Sequence, residues 1–258
     1  MEKKISFSEL KIWNECPFKH NLVYINGIGK FEGNEYTAFG TALHSVCEQK
    51  LPNPTVNEKE IFLKAFAEQI NILKEKNIAL REDILSPMEE QGLRICELVL
   101  PEVKKHFGEF EILSVEESLL EEITEFDSFG KKFKGFIDLV IQTPDKKIHI
   151  IDWKTCSWGW NFKRRTDPMT TYQLTYYKNF YAKKHNIDPA NIETYFILLK
   201  RTAKKDIVEV IRVTSGPKKT NNSLNLLQKA VININKGNSI KNRLSCRYCQ
   251  FYNTEHCP

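Results

Sequence analysis

No stretch of this chain approaches the roughly 18–20 consecutive apolar residues that cross a bilayer, and the opening MEKKISFSELKIW lacks the apolar centre of a secretion signal. A protein that avoids the membrane and works in the cytoplasm, in a bacterial or phage-like setting, is the expectation. Seven cysteines, an odd number without secretory context, exclude a disulfide framework. No internal repeat or low-complexity tract is present, which excludes a repeat architecture. Arginine is scarce, 8 residues against 30 lysines, a ratio closer to AT-rich coding than to dedicated phosphate recognition.

What is present bounds the fold. At 258 residues, 41% of them hydrophobic, the chain can cover one core well but not two independent ones, so residues 1–258 read as a single unit. Its net charge of +5 is divided unevenly, −10 over residues 1–127 and +15 over 128–258. That asymmetry points to a cationic surface for a polyanion at Lys163-Arg164-Arg165, Lys200-Arg201 and Lys204-Lys205. A solvated lysine-rich face accounts for the same charges.

Ser6 with Glu9 forms a capping-box pattern, and Leu10 and Trp13 suit a short helix ending before Cys16-Pro17. A second helix is predicted near Thr37, where Phe39, Leu43, Val46 and Cys47 recur at helical spacing while Gly40, His44 and Glu48 share an adjoining face. Residues 55–107 read as a helical insert punctuated by Pro52, Pro54, Pro87 and Pro101. It carries no chemical motif and is expected to shape a substrate channel or cover a sheet. Strand patterns follow at about 111–122, 132–142 and 147–155, then a helix at about 170–184, strands near 194–200 and 207–213, and a helix at 223–236. Strands followed by a helix and a further strand imply an α/β fold.

The chemistry is concentrated in a hairpin. Thr143-Pro144-Asp145-Lys146-Lys147 is a turn signal between GFIDLVIQ and IHIIDWKT, and centring it on Asp145 pairs residues whose numbers sum to 290. Asp138 then lies opposite Asp152, with Lys154 on the same face and Ile151 and Trp153 on the other. Opposed residues have Cβ atoms about 4.5–5.5 Å apart, so the two carboxylates could share one cation. Without it they would repel, and Mg²⁺ or Mn²⁺ suits such hard oxygen donors. A surface hairpin with Asp152 and Lys154 merely salt-bridged is the alternative. Gln173 and Tyr177, four apart on the following helix, project together. Glu116 and Glu117 precede the hairpin among eight acids at 109–127.

Taken in order, Gly40 to His44, Glu116, Gly135-Phe136-Ile137-Asp138, Asp152-Trp153-Lys154 and Gln173 to Tyr177 resemble the motifs of RecB-like PD-(D/E)XK nucleases. The resemblance implies a restriction-endonuclease-like α/β core, a mixed sheet flanked by helices. It further implies Asp138, Asp152, the Trp153 carbonyl, His44 and Glu116 as metal ligands, with Glu117 still open as the alternative to Glu116. Lys154 would orient or activate water, and Gln173 and Tyr177 would position substrate and site. The activity implied is metal-dependent hydrolysis of DNA, as an exonuclease preferring single strands or free ends, in replication, recombination or repair, with a helicase or recombination partner. A non-catalytic iron-sulfur DNA-binding module and an integration-associated endonuclease are the other readings.

The remaining motif joins the chain ends. Cys246-Arg247-Tyr248-Cys249 is a CxxC pair followed by Cys257, and Cys16 stands far upstream. This set resembles the 4Fe-4S staple of AddB-like and CRISPR-adaptation nucleases, apart from the gap of seven residues before Cys257, where about five would be expected. The resemblance implies an iron-sulfur clasp of residue 16 with 246–257. Structural Zn²⁺ on Cys246, Cys249, Cys257 and either Cys16 or His256 is the rival. Cys47, Cys96 and Cys156 are expected to be buried small hydrophobes.

Overall fold

The computed structural model describes residues 3–258, so the first two positions of the unit expected over 1–258 lie outside the described residues. The first half is helical: strand β1 (Lys4–Ser6), then α1 (Phe7–Glu15), α2 (Pro17–His20) with a π-type turn at Asn21–Ile25, α3 (Glu35–Lys50), α4 (Glu58–Glu75) and α5 (Glu82–Phe107). The second half alternates: β2 (Glu111–Glu122), β3 (Lys132–Gln142), β4 (Ile148–Cys156), α6 (Phe162–Thr166), α7 (Pro168–His185), β5 (Ile192–Lys200), β6 (Val208–Val213) and α8 (Pro217–Asn235).

β3 is the hub of a mixed six-stranded sheet. One edge carries β2, antiparallel from Glu111↔Gln142 to Glu122↔Lys132. The other edge is shared by β1, parallel at Lys132–Lys134, and β4, antiparallel at Leu139–Gln142, so residues 135–138 lie between two partners and belong to neither. Beyond Ile151 β4 leaves β3 but stays parallel to β5 through Cys156, and β5 is antiparallel to β6.

Alternation along the strands divides the core between two faces. Ile148, Ile150, Phe196 and Leu198 pack with Leu10 of α1, Phe180 of α7 and Leu227 of α8. Ile151, Trp153, Ile197 and Leu199 pack with Phe39, Leu43 and Val46 of α3, Phe62 and Phe66 of α4, and Ile95 and Val99 of α5. This face of the sheet is thus covered by α3 and α5, with α4 packed against both helices. Gly92 is required there, because a Cβ on it would stand 1.9 Å from the Phe62 ring.

Two local expectations change. Pro87 and Pro101 do not interrupt α5, which runs through both. An internal proline costs about 3 kcal/mol, whereas each fully buried apolar side chain contributes about 1.5–3 kcal/mol, and Met88, Ile95, Val99 and Val103 are all buried along this helix. The Ser6–Glu9 capping box is half made: Ser6 Oγ accepts the Glu9 N–H at 3.2 Å, but the Glu9 carboxylate turns to His20 Nε2 at 3.0 Å. Among the described residues no helix is long and apolar enough to cross a membrane.

Candidate active site

The site occupies the fork where β3 and β4 separate. Pairing runs from Gln142↔Ile148 to Leu139↔Ile151 in the expected register, whose sum is 290. It stops one pair short of Asp138 and Asp152, so these two are not directly opposed as expected. Asp152 instead sits in the β4–β5 ladder against Phe196, and Asp138 Oδ2 accepts the Trp153 N–H at 2.7 Å across the opening fork. The physical reason is competition: β5 keeps β4 for its whole length, while β3 stays with β2. Both carboxylates are nonetheless buried, Asp138 at 8% exposure and Asp152 at 2%.

The gap at 135–138 is filled by α7. Gln173 Nε2 donates to Asp152 Oδ1 at 2.8 Å and contacts Tyr177 Oη at 3.0 Å. The Tyr177 ring lies over Gly135, where a Cβ would come within 2.7 Å of it. Lys154 Nζ pairs with Asp152 Oδ2 and lies 5.6 Å from the centre of the Phe196 ring.

From the other side α3 brings His44, with Nδ1 3.7 Å from Asp138 Oδ2. Gly40, one turn earlier, lets α3 approach β4, since a Cβ there would stand 3.2 Å from Thr155 Oγ1. β2 brings Glu116, whose φ of 51° places it in the left-handed region between the pairs Val115↔Leu139 and Glu117↔Ile137. Donor atoms of His44, Glu116 and Asp138 all lie within 4.8 Å of one another. Asp152 lies outside this trio of side-chain donors, and the Trp153 backbone hydrogen-bonds His44 beside it. Glu117 points elsewhere, to Lys184 at 2.6 Å and His185 at 3.0 Å on α7.

Burial, and next the charge of Asp152, push the Asp138 carboxyl well above the usual carboxylate range, against the pull of Lys154 and the Trp153 amide. Burial also lowers the His44 pKa, opposed by the Asp152 charge, which favours the neutral imidazole that can ligate a metal. Glu48, one turn after His44, shares a hydrogen bond with Glu116, and burial and the Glu116 charge push it up to about 7. The His44-to-Glu48 spacing places it on the site face, but the sequence reading gave it no role. Its i, i+4 relation to His44 was the available signal.

Outside the fork, Cys16, Cys246, Cys249 and Cys257 line one cavity with Phe18, Leu22, Phe251 and Tyr252. The chain ends are laced together there: Asn242 N–H donates to Cys16 Sγ at 3.3 Å, Asn242 Nδ2 to the Glu15 carbonyl at 2.9 Å, and Gln250 Nε2 to the Gly29 carbonyl at 2.7 Å. His256 does not line this cavity. Cys47 and Cys96 are buried as expected, whereas Cys156 is only half-buried. Several expected surface cations are engaged by the protein itself: Lys200 is buried against Glu209 at 3.2 Å, Arg165 bonds Glu209 at 2.6 Å and the Trp160 carbonyl at 2.7 Å, and Arg201 bonds Gln91 Oε1 at 2.7 Å.

The PD-(D/E)XK nuclease superfamily model matches residues 4–254. No curated protein matches the sequence. Among solved structures, a "Putative exonuclease" of Eubacterium rectale is similar in fold, with a TM-score of 0.61 at 14% identity over 96% of this chain and 86% of that one. SSO0001 aligns at 18% identity over 95% of this chain and 93% of its own, with a TM-score of 0.37 on which no argument rests.

Proposed function

Because the chain belongs to the PD-(D/E)XK nuclease superfamily, we propose that it is an Mg²⁺- or Mn²⁺-dependent deoxyribonuclease acting as an exonuclease on single-stranded DNA or free ends, in replication, recombination or repair with a helicase or recombination partner. The observation that carries this reading is the convergence of His44, Glu116 and Asp138 within 4.8 Å beside the Asp152–Lys154 ion pair. The donor set fits such an ion: two of the three donors are carboxylates, and the buried Asp138 carboxylate is disfavoured without added positive charge. Asp152 and the Trp153 carbonyl complete the ligand set in this reading.

When bound, a divalent cation supplies Lewis acidity that eases deprotonation of water and offsets charge on phosphate oxygens. The protein's own groups do the rest. Lys154, held by Asp152, orients the attacking water and balances charge as the new P–O bond forms and the bridging P–O bond breaks. Gln173 fixes the Asp152 carboxylate through Oδ1, and Tyr177 holds Gln173 against Gly135. Neutral His44 leaves one of its two ring nitrogens free of a proton for ligation, while the other carries the N–H.

The cysteine cavity is assigned a 4Fe-4S cluster on Cys16, Cys246, Cys249 and Cys257. Four thiolates from the two ends of the chain around one cavity support this reading, and a tetrahedral zinc on the same four sulfurs is its rival.

The test is digestion of end-labelled single- and double-stranded DNA with Mg²⁺ or Mn²⁺, with EDTA as control. Metal-dependent shortening from an end, faster on the single strand, is expected. Internal cuts alone would replace exonuclease by endonuclease, and no cleavage with either metal would overturn the nuclease reading.

A further inference from the structure

The linker from β4 to α7 connects the two elements that carry Asp152 and Lys154 on one side and Gln173 and Tyr177 on the other. It presents its aromatics in an unusual order. Trp160 is buried, its ring 5.1 Å from that of Phe196, whereas Trp158 and Phe162, two residues to either side, are 76% and 81% exposed. Large aromatics exposed near one another can mark an interaction surface.

The linker backbone is held firmly. Arg201 N–H donates to the Cys156 carbonyl at 2.8 Å, and both the N–H and the Oγ1 of Thr202 donate to the Ser157 carbonyl, at 3.0 and 2.8 Å. Asn161 caps α6 through the Arg164 N–H at 2.9 Å, and Arg165 ties the Trp160 carbonyl to Glu209. Two exposed rings on a segment whose backbone is held on either side lose less freedom when they bind a partner.

The charge around the rings selects the partner. Lys163 is exposed, the Arg164 guanidinium lies 4.7 Å over the Trp160 ring, and Lys204 and Lys205 are exposed on the loop bonded to Ser157. Alternating aromatic faces and cations suit unpaired bases on an anionic backbone. Trp158 is four residues beyond Lys154, so its Cα lies within about 14 Å of that of Lys154 along the chain, which is within a few nucleotides of the reacting phosphate.

We propose that Trp158 and Phe162 form a base-stacking platform for single-stranded DNA entering the β3–β4 fork, with Lys163 and Arg164 contacting its phosphates. The proposal rests on the nuclease reading for its substrate and deepens it by naming the residues that select unpaired bases. A duplex keeps its bases stacked inside and gives these rings little to hold.

The experiment measures fluorescence anisotropy of labelled oligo(dT) and of a blunt hairpin duplex with the full chain in EDTA, over a range of salt. Trp158→Ala and Phe162→Ala should each bind oligo(dT) about 5- to 150-fold more weakly, the range for one lost stacked base, with an unchanged salt slope and thermal midpoint. Trp158→Phe should retain most of the affinity, and duplex binding should stay within a few-fold in all three. Lys163→Gln with Arg164→Gln should instead reduce the salt slope by about 0.7 per lost contact. Unchanged oligo(dT) affinity in both alanine variants, which would leave the rings to a protein partner, overturns the platform. So does an equal loss on the duplex. Metal-dependent cleavage of the same oligonucleotide by the wild type is scored separately: its absence defeats the nuclease reading, while the metal-free binding data still decide the platform.

Discussion

Asp152 is held by Gln173 on one oxygen and by Lys154 on the other, so removing either Asp152 or Lys154 strips chemistry from the fork without touching the outer surface. Asp152→Ala and Lys154→Ala are expected to abolish cleavage while DNA affinity stays within a few-fold, because binding rests mainly on phosphate contacts elsewhere. Full activity of either variant, measured on end-labelled DNA, would defeat the assignment. Glu48 gives a second residue-level test. Its folded pKa is pushed up to about 7 from an ordinary 4.5, so the folded state binds the proton more tightly than the unfolded one. Its stabilising contribution is therefore complete below about 4.5 and is lost as pH rises through about 7. In EDTA the thermal midpoint should fall over that window, and Glu48→Gln should flatten the fall; an identical profile in the variant would remove Glu48 from the site's proton balance. The proximity of Asp138, Asp152, Lys154, Gln173 and Tyr177 was legible from local pattern and family resemblance. The part Glu48 plays was not, because the Glu116 carboxylate that defines it lies on a distant strand. Arg165 read as a surface cation for the same reason, its Glu209 partner being on β6.

The hairpin shows how far local pattern reaches at the level of elements. Its turn and register follow from residues 143–147 and appear as expected, with the Lys146 N–H donating to the Thr143 carbonyl at 2.8 Å. The fork was not legible, since it arises from β5 claiming β4 and from the three-residue β1 taking the far end of β3. Neither event has a signal within the hairpin itself. β2 shows a related compromise, for the left-handed conformation of Glu116 costs about 1–2 kcal/mol for a residue with a Cβ. Glycine relieves that strain while losing some backbone entropy, roughly 0.5–1 kcal/mol. Glu116→Gly should therefore leave the thermal midpoint unchanged or raised in EDTA, yet weaken Mn²⁺ binding and abolish cleavage. Glu117→Gly should do the reverse, lowering the midpoint by breaking the Lys184 and His185 contacts while sparing the metal site. Calorimetry of Mn²⁺ binding on both variants decides between them, and equal metal affinity would leave Glu117 as a ligand candidate.

Across the whole molecule, the cysteine cavity joins the turn after α1 to the last residues of the chain, so the loop it would close contains nearly every element of the sheet and both its helical faces. Without a bound centre that closure rests on the packing of Phe251 and Leu22 and on polar contacts such as Asn242 to Glu15 and Gln250 to Gly29, the latter each worth about 1 kcal/mol. By analogy with a covalent crosslink over a loop of this length, a bound cluster would restrict the unfolded chain by on the order of 5 kcal/mol, comparable with the whole net stability of many domains. Cys16→Ser is therefore expected to give poorly soluble or readily unfolded protein, not merely a slower enzyme. Cys47→Ser, which touches a different core, should keep the bound iron even if it lowers the thermal midpoint. The wild type purified without oxygen should be brown, absorb broadly in the visible from sulfur-to-iron charge transfer, and contain iron and acid-labile sulfide. A colourless, active preparation with one zinc per chain would replace the cluster by zinc, and because the fork and the cavity share no residue, it would leave the nuclease site unchanged.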